Sequence, residues 1–487
     1  MANLILWNTF NLDYAALRPA GAHQLAVWLT QFGYTVKVID FCSLLSTDDL
    51  VSLTEKHIDS TTIAIGVSST FWYPNESIAN TSIAYDAPLA TSISLRRGPD
   101  WGPELTRDGM PNWVTLTRAR LRSKYPALDW LIGGSHAHTG DASWIKFYNH
   151  SEDTLLKYLD EKSNKIILRS NFDITKKGNG FMDKLGIQPH EVLPLELGRG
   201  CQFKCGFCNY PLLGKRKGTY IRDFSLIKEE LISNFEKFGT TRYFFVDDTM
   251  NESIEKIDEL AEMAQTLPFK LEWIGYNRLD IIGSTRTQIE SLKYSGLRST
   301  FFGIESFGLE ASKAIGKPWN GKNAKDFLLE LKSIWKNDIT FELGFIVGLT
   351  GDSPDDLDKT EQWCIDNGMH SWLYHALHIY RNNTNKWASE FDKNYAAHGY
   401  KFLSPIDNTR WTNDTWDYRD ATLKSFQLNV SGREHKKAAG YQLGEPISAG
   451  YAIDDIIDKY KKDLDWNSMR SFTAEFLKNY VKFQLNL

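Results

Sequence analysis

The chain has 487 residues, enough at roughly 100 to 200 residues per domain for two to four domains, which excludes a single small module. Apolar residues at 42% and charged residues at 24% lie near globular averages and exclude a disordered or fibrous chain. With 56 basic against 61 acidic residues the net charge is -5, so the global positive potential of a bulk nucleic-acid binder is missing and no nucleic-acid partner is expected.

Met1 to Trp7 carry no basic leader and no small-residue cleavage site, and the apolar stretch is far shorter than the roughly 18 residues of a membrane span. A cytoplasmic protein without a membrane partner is expected. Leu4 to Trp7 reads as a short strand, and Ala22, Leu25, Ala26, Leu29 and Phe32 recur at helical spacing up to Gly33. Val36 to Asp40 is the next strand, and the apolar runs Ile63 to Ser69 and Trp130 to Gly134 read as buried parallel strands ending in small residues. This is the pattern of a Rossmann-like α/β domain over residues 1–165. Between Tyr73 and Trp113, many Asn, Asp, Gly, Pro and Ser residues and a weak periodicity predict an insertion near a ligand or an interface.

A linker around Asn164 to Pro189 leads into alternating strand and helix patterns. The strands are Leu193 to Leu197, Tyr243 to Val246, Leu271 to Tyr276, Thr300 to Ile304, Thr340 to Val347 and Trp372 to Tyr380; helical patterns lie at 226–235, 254–264 and 327–335. Six βα units over residues 190–395 predict a partial (β/α)6 TIM-like barrel, with ligands at the carboxyl ends of its strands. Residues 396–487 lose the alternation and read as a mainly helical segment, Asp454 to Leu464 and Ser471 to Phe483 being the clearest pieces.

Five cysteines are too few for a disulfide framework; Cys42 and Cys364 stand apart, while Cys201, Cys205 and Cys208 form C-x3-C-x2-C directly after the first barrel strand. Three thiolates there can face one point. An iron-sulfur cluster normally takes four cysteine ligands, so three would leave one iron open to a ligand that is not protein. A zinc site is the alternative, but structural zinc wants a fourth Cys or His, and none lies within ten positions of the cysteines on either side.

With Phe207 as the aromatic of C-x3-C-x-aromatic-C, this loop resembles the hallmark of the radical S-adenosylmethionine (SAM) superfamily. The resemblance implies that Cys201, Cys205 and Cys208 hold a 4Fe-4S cluster whose fourth iron is chelated by SAM. One-electron cleavage then yields a 5'-deoxyadenosyl radical that takes a hydrogen atom from the substrate, and the electron comes from a donor such as a flavodoxin or ferredoxin. Further motifs follow in the family's order. Asp247 and Asp248 resemble the acidic end of the second barrel strand, where either carboxylate would accept from the amino group of SAM, with helix capping by Asp248 or Thr249 as the alternative. Arg278 would pair with the methionine carboxylate, or is an ordinary surface arginine. Phe302 to Ser306 resemble a G-I-E-S motif, with Glu305 and Ser306 toward the ribose or amino group. Gly344, Ile346 and Gly348 match a G-x-I-x-G pattern that lets backbone approach the adenine. The basic run Lys215 to Lys217 either meets an anionic substrate or lies on a solvated loop.

The first domain resembles the cobalamin-binding domains that precede many such barrels, which places Ser68, Gly133 and Gly134 beside the corrin. No D-x-H-x-x-G is present, and His23, His136 and His138 read as capping or core residues before cobalt ligands. The resemblance implies cobalamin-dependent methyl transfer to an unreactive carbon or phosphorus centre of a small molecule, peptide or nucleotide. Two readings stand beside it: a radical rearrangement, oxidation or cyclisation without cobalamin, and a non-catalytic iron-sulfur or redox-sensing module.

Overall fold

The computed structural model describes residues 2–8, 18–42, 45–69, 110–134, 137, 141–147, 151–165, 172–182, 185–209, 220–317, 321–381, 388–403, 410–436 and 478–486. Two all-parallel sheets organise them. The first holds β1 (Leu4–Trp7), β2 (Val36–Ile39), β3 (Ala64–Ser68), β4 (Asp129–Gly133) and β5 (Ile145–Phe147) in the order β2-β1-β3-β4-β5. Its strands are apolar on both faces because both are covered. Ile5, Trp7, Ile65, Val67, Trp130 and Ile132 pack on one side with Trp113, and Leu4, Leu6, Val36, Val38 and Leu131 pack on the other with Ala26, Leu29 and Leu156. Full burial of each large side chain contributes roughly 1.5–3 kcal/mol. Strand order reverses between β1 and β3, which opens a crevice at their carboxyl ends.

The second sheet holds β6 (Leu193–Leu195), β7 (Arg242–Phe245), β8 (Glu272–Asn277), β9 (Leu297–Glu305), β10 (Thr340–Val347) and β11 (Ser371–Ala376), each beside its sequence neighbour. This is the expected partial barrel of six βα units. Its outer face lies under the helices: Phe245 stacks on Trp273 at 4.7 Å, and Phe302 stacks at 6.3 Å on Trp335 of helix Gly321–Trp335. On the other face Phe244, Tyr276 and Phe301, from three successive strands, meet edge to face at 5.6 Å each.

Three features depart from the sequence reading. Helix Asn112–Lys124 begins inside the segment expected as an insertion, of which 70–109 lie outside the described residues. The short strand β5 carries too few residues for its period to register. The linker is no free tether, since Phe181, Leu185 and Ile187 join the barrel core and the buried Arg222 donates to the carbonyls of Lys177 and Gly178 while pairing with Glu230 at 2.7 Å. In the C-terminal segment, a two-stranded hairpin (β12, Lys401–Phe402; β13, Trp411–Thr412) precedes helix Tyr418–Ser431, and 478–486 are helical. Asp454 to Leu464 fall outside the described residues.

The two lobes are joined by buried charge. Arg18 donates to Asp40 beyond β2 and to Glu191 ahead of β6, both at 2.8 Å, with its guanidinium 4.9 Å from the Phe41 ring and 5.5 Å from the Tyr480 ring. The Asp40 N–H donates to the Tyr480 hydroxyl, which brings helix 478–486 onto the first domain. No helix among the described residues is long and apolar enough to cross a membrane.

Candidate functional site

The loop after β6 is fixed before it reaches the first cysteine. The Leu197 N–H donates to Asp247 Oδ1 at 2.7 Å, and Arg199 pairs with Glu196 at 2.7 Å and with Glu152 of the first domain at 2.8 Å. Arg199 and Lys177 outweigh the cost of burying Glu196 and hold its carboxyl well below the usual range. Farther along, the Gly206 N–H donates to the Ile315 carbonyl at 3.0 Å, and the Gly206 carbonyl accepts from the Phe391 N–H at 2.9 Å. A Cβ on Gly206 would lie 2.7 Å from the Phe391 ring, so the loop passes where a larger residue would not fit.

Cys201 is buried, whereas Cys205 and Cys208 are partly open. Cys201 Sγ lies 3.3 Å from Thr249 Oγ1 beyond β7, and Cys205 Sγ accepts from Arg278 Nη1 at 3.4 Å beyond β8. Burial pushes the Cys201 thiol pKa up, and the Thr249 contact works against it. Soft sulfur donors on one loop, met by a hydroxyl and a cation from the next two strand ends, fit an anionic iron-sulfur cluster. Among the described residues no three His, Cys, Asp or Glu side chains are gathered as around a single metal ion.

The paired aspartates have separated roles. Asp247 is buried, with one oxygen on the Leu197 N–H and the other accepting from Lys256 Nζ at 2.8 Å; Lys256 also reaches Glu252 at 3.0 Å. It therefore ties β6 to helix Ile254–Gln265 and does not present a carboxylate to a cofactor. Asp248 remains partly open, and among the described residues its carboxylate accepts no hydrogen bond. Burial, with the charges of Asp247 and Glu196, pushes its pKa up to about 7. The capping alternative fails for both Asp248 and Thr249, because Ser253 caps the helix that follows.

Arg278 is buried, with Nε and Nη2 on the two oxygens of Asp280 at 3.0 and 2.7 Å and the guanidinium 4.1 Å from the Phe203 ring. It is not a surface arginine, and Asp280 holds the Nε–Nη2 edge that the expected carboxylate fork would use. At the end of β9, Glu305 holds φ at 66°, a left-handed conformation that costs a non-glycine residue energy, and its carboxylate accepts from Lys317 Nζ at 2.8 Å. The Ser306 hydroxyl donates to Asp352 Oδ1 at 2.9 Å. Burial raises the Asp352 pKa to about 6.

The glycines of β10 are accounted for differently than the sequence suggested. The Phe301 ring occupies the space a Gly344 side chain would need, and Trp411 occupies that of Gly348, where φ is 104°. Both positions accommodate aromatic packing, and Ile346 is buried between them. In the first domain, Ser68 and Gly133 are register partners at the ends of β3 and β4, and Ser69 donates to the Gly133 carbonyl through its N–H at 2.7 Å and its hydroxyl at 2.8 Å. Gly134 follows with φ at 107°. His23 is buried with Nε2 on Asp40 at 2.8 Å, which makes it a core residue. His136, His138 and Lys215 to Lys217 lie outside the described residues.

Sequence reasoning missed Lys256, Lys317, Arg199 and Glu152. Lys256 and Arg199 also make local pairs with Glu252 and Glu196, but their contacts with Asp247 and Glu152, like that of Lys317 with Glu305, form only in the folded chain.

Residues 195–364 match the family model of the radical SAM superfamily. No curated protein matches the chain in sequence. Among solved structures the fold is similar to that of TsrM from Kitasatospora setae, a radical S-adenosylmethionine methyltransferase. The structure with tryptophan substrate and a SAM analogue bound has a TM-score of 0.60 at 13% identity, over 98% of this chain and 99% of that one. The structure with cobalamin and an iron-sulfur cluster bound also has a TM-score of 0.60, at 12% identity over 98% and 100% of the two chains. The cobalamin-dependent SAM radical enzyme OxsB, solved with aqua-cobalamin and SAM bound, is similar at a TM-score of 0.52 and 11% identity over 99% of this chain and 72% of that one. The matched residues carry β7 to β10 of the second sheet and the three-cysteine loop.

Proposed function

We propose that this chain is a radical SAM enzyme that depends on cobalamin and transfers a methyl group to an unreactive centre of its substrate. The carrying observation is the placement of the three-cysteine loop at the mouth of a six-stranded parallel barrel, in one chain with a parallel sheet whose switch point offers a second cofactor crevice. Fold likeness to TsrM and OxsB over nearly the whole chain supports the reading.

Cys201, Cys205 and Cys208 would hold the 4Fe-4S cluster, and Asp248 would accept from the amino group of SAM. When bound, these cofactors supply a one-electron cleavage that protein side chains cannot perform. The chain contributes placement. Asp247, Lys256 and Arg199 fix the cluster loop, Glu305 is poised at the end of β9, and the Phe244, Tyr276 and Phe301 rings give the barrel an apolar lining. Ser68, Gly133 and Gly134 would border the corrin at the crevice of the first sheet, where small side chains and Ser69 bound back to Gly133 leave the strand ends low. The source of the electron would be a flavodoxin or ferredoxin.

Anaerobic preparation with iron, sulfide and cobalamin tests this. About one cobalt per chain, with methyl label moving from SAM to a product, supports methyl transfer. Cleavage of SAM to 5'-deoxyadenosine without cobalt uptake points to the cobalamin-free radical chemistry, and absence of any SAM turnover points to the non-catalytic module.

A further inference from the structure

We propose that Arg278 is a positioning residue that raises the reduction potential of the cluster through Cys205, a role distinct from binding the substrate or the carboxylate of SAM. The inference rests on the reading of the three cysteines as cluster ligands.

Arg278 is held at every level of its structure. Its backbone N–H donates to Asn251 Oδ1 at 2.7 Å and its carbonyl accepts from Asn251 Nδ2 at 2.9 Å, a reciprocal clamp steadied by Gln288 at 3.1 Å. Asp280 at the start of helix Leu279–Ser284 takes the Nε–Nη2 edge of the guanidinium with both oxygens. Phe203, from the cysteine loop itself, covers one guanidinium face at 4.1 Å. With that edge occupied and that face covered, Nη1 is directed at Cys205 Sγ, 3.4 Å away. A methionine carboxylate could not take the Nε–Nη2 edge without displacing Asp280.

A cation donating N–H to a cluster thiolate stabilises the more negative, reduced cluster and so shifts its potential upward. Asp280 keeps the guanidinium in place and limits the surplus charge. Arginine suits this position because one planar group serves Asp280 on one edge and sulfur on the other; lysine offers a single point donor and cannot keep both.

The test compares the reconstituted wild type with R278K and R278Q by redox titration followed by electron paramagnetic resonance (EPR), at matched iron and sulfide content. In R278Q the ratio of reduced to oxidised cluster at the wild-type midpoint should fall about tenfold, equivalent to a 59 mV more negative potential for a one-electron couple. R278K should fall by less, and SAM affinity should change less than about twofold in both. Pulsed EPR of reduced wild type labelled with 15N at the guanidino nitrogens of arginine should reveal a 15N coupling, so the inference stays testable even should neither variant take up iron. An unchanged potential in loaded R278Q, a loss confined to SAM affinity, or absence of the 15N coupling in reduced wild type overturns it. Those results leave the wild-type cluster intact, whereas failure of wild type to assemble a cluster overturns the functional reading and this inference together.

Discussion

Asp248 stores an electrostatic cost in the site. Its carboxyl, pushed up to about 7 from an ordinary 3.8 by burial and then by Asp247 and Glu196, is destabilising when ionised. A raised carboxyl contributes stability that is full below its unfolded pKa and lost as pH rises through about 7. A tenfold change in proton affinity corresponds to about 1.4 kcal/mol. The carboxylate is partly open, so screening reduces the total to about 1–3 kcal/mol. Asp248→Asn should therefore unfold at higher temperature than wild type at pH 8, with the difference vanishing near pH 4, while SAM affinity drops at least about tenfold. Calorimetry and equilibrium dialysis check both signs; a variant that is less stable at pH 8 would mean the carboxylate is a structural anchor. The pair Asp247-Asp248 was visible in the sequence, but which of the two faces the site was not, because that choice is made by Lys256, nine positions on, and by the Leu197 N–H from another strand. Arg278 was likewise noticed, yet its partner Cys205 is 73 residues away and no spacing rule links them.

The cysteine loop works as an element because its glycine lets the short helix Glu390–Asn394 close over it. Phe391 is buried and hemmed in by the rings of His398 and Tyr400, at 4.6 and 5.6 Å, so it cannot retreat from a new methyl group. Gly206→Ala should destabilise the loop by about 1–3 kcal/mol and lower iron bound per chain without unfolding the protein. Adding Phe391→Leu should restore iron uptake, as colorimetric iron assay would record. Strands were the most legible elements: four of the first sheet and all six of the barrel lie where apolar runs place them, since parallel strands covered on both faces leave a nearly unbroken apolar signature. The glycines of β10 were less legible. A strand-end glycine signals only that something comes close, and here the visitors are Phe301 and Trp411, aromatic side chains from β9 and the C-terminal hairpin.

At the scale of the molecule, two parallel sheets are joined by charges, fully buried at Arg18 and partly open at Arg199. Arg18 sits between Asp40 of the first domain and Glu191 of the second, Arg199 links Glu152 to the cysteine loop, and Tyr480 returns the far end of the described chain to the first sheet. Such contacts fix where the crevice beyond β1 and β3 stands relative to the barrel mouth, a placement that the proposed methyl transfer would need. None of them could be read from the sequence, because residues 18 and 191, or 40 and 480, become neighbours only in the folded chain. The central claim is that the three cysteines carry a cluster with one iron open to SAM. EPR of the anaerobically reconstituted, dithionite-reduced protein before and after SAM addition tests it most directly. The expected result is a reduced 4Fe-4S signal that changes shape when SAM binds and disappears in Cys205→Ala; a signal indifferent to SAM, or one that survives the loss of Cys205, would contradict the account.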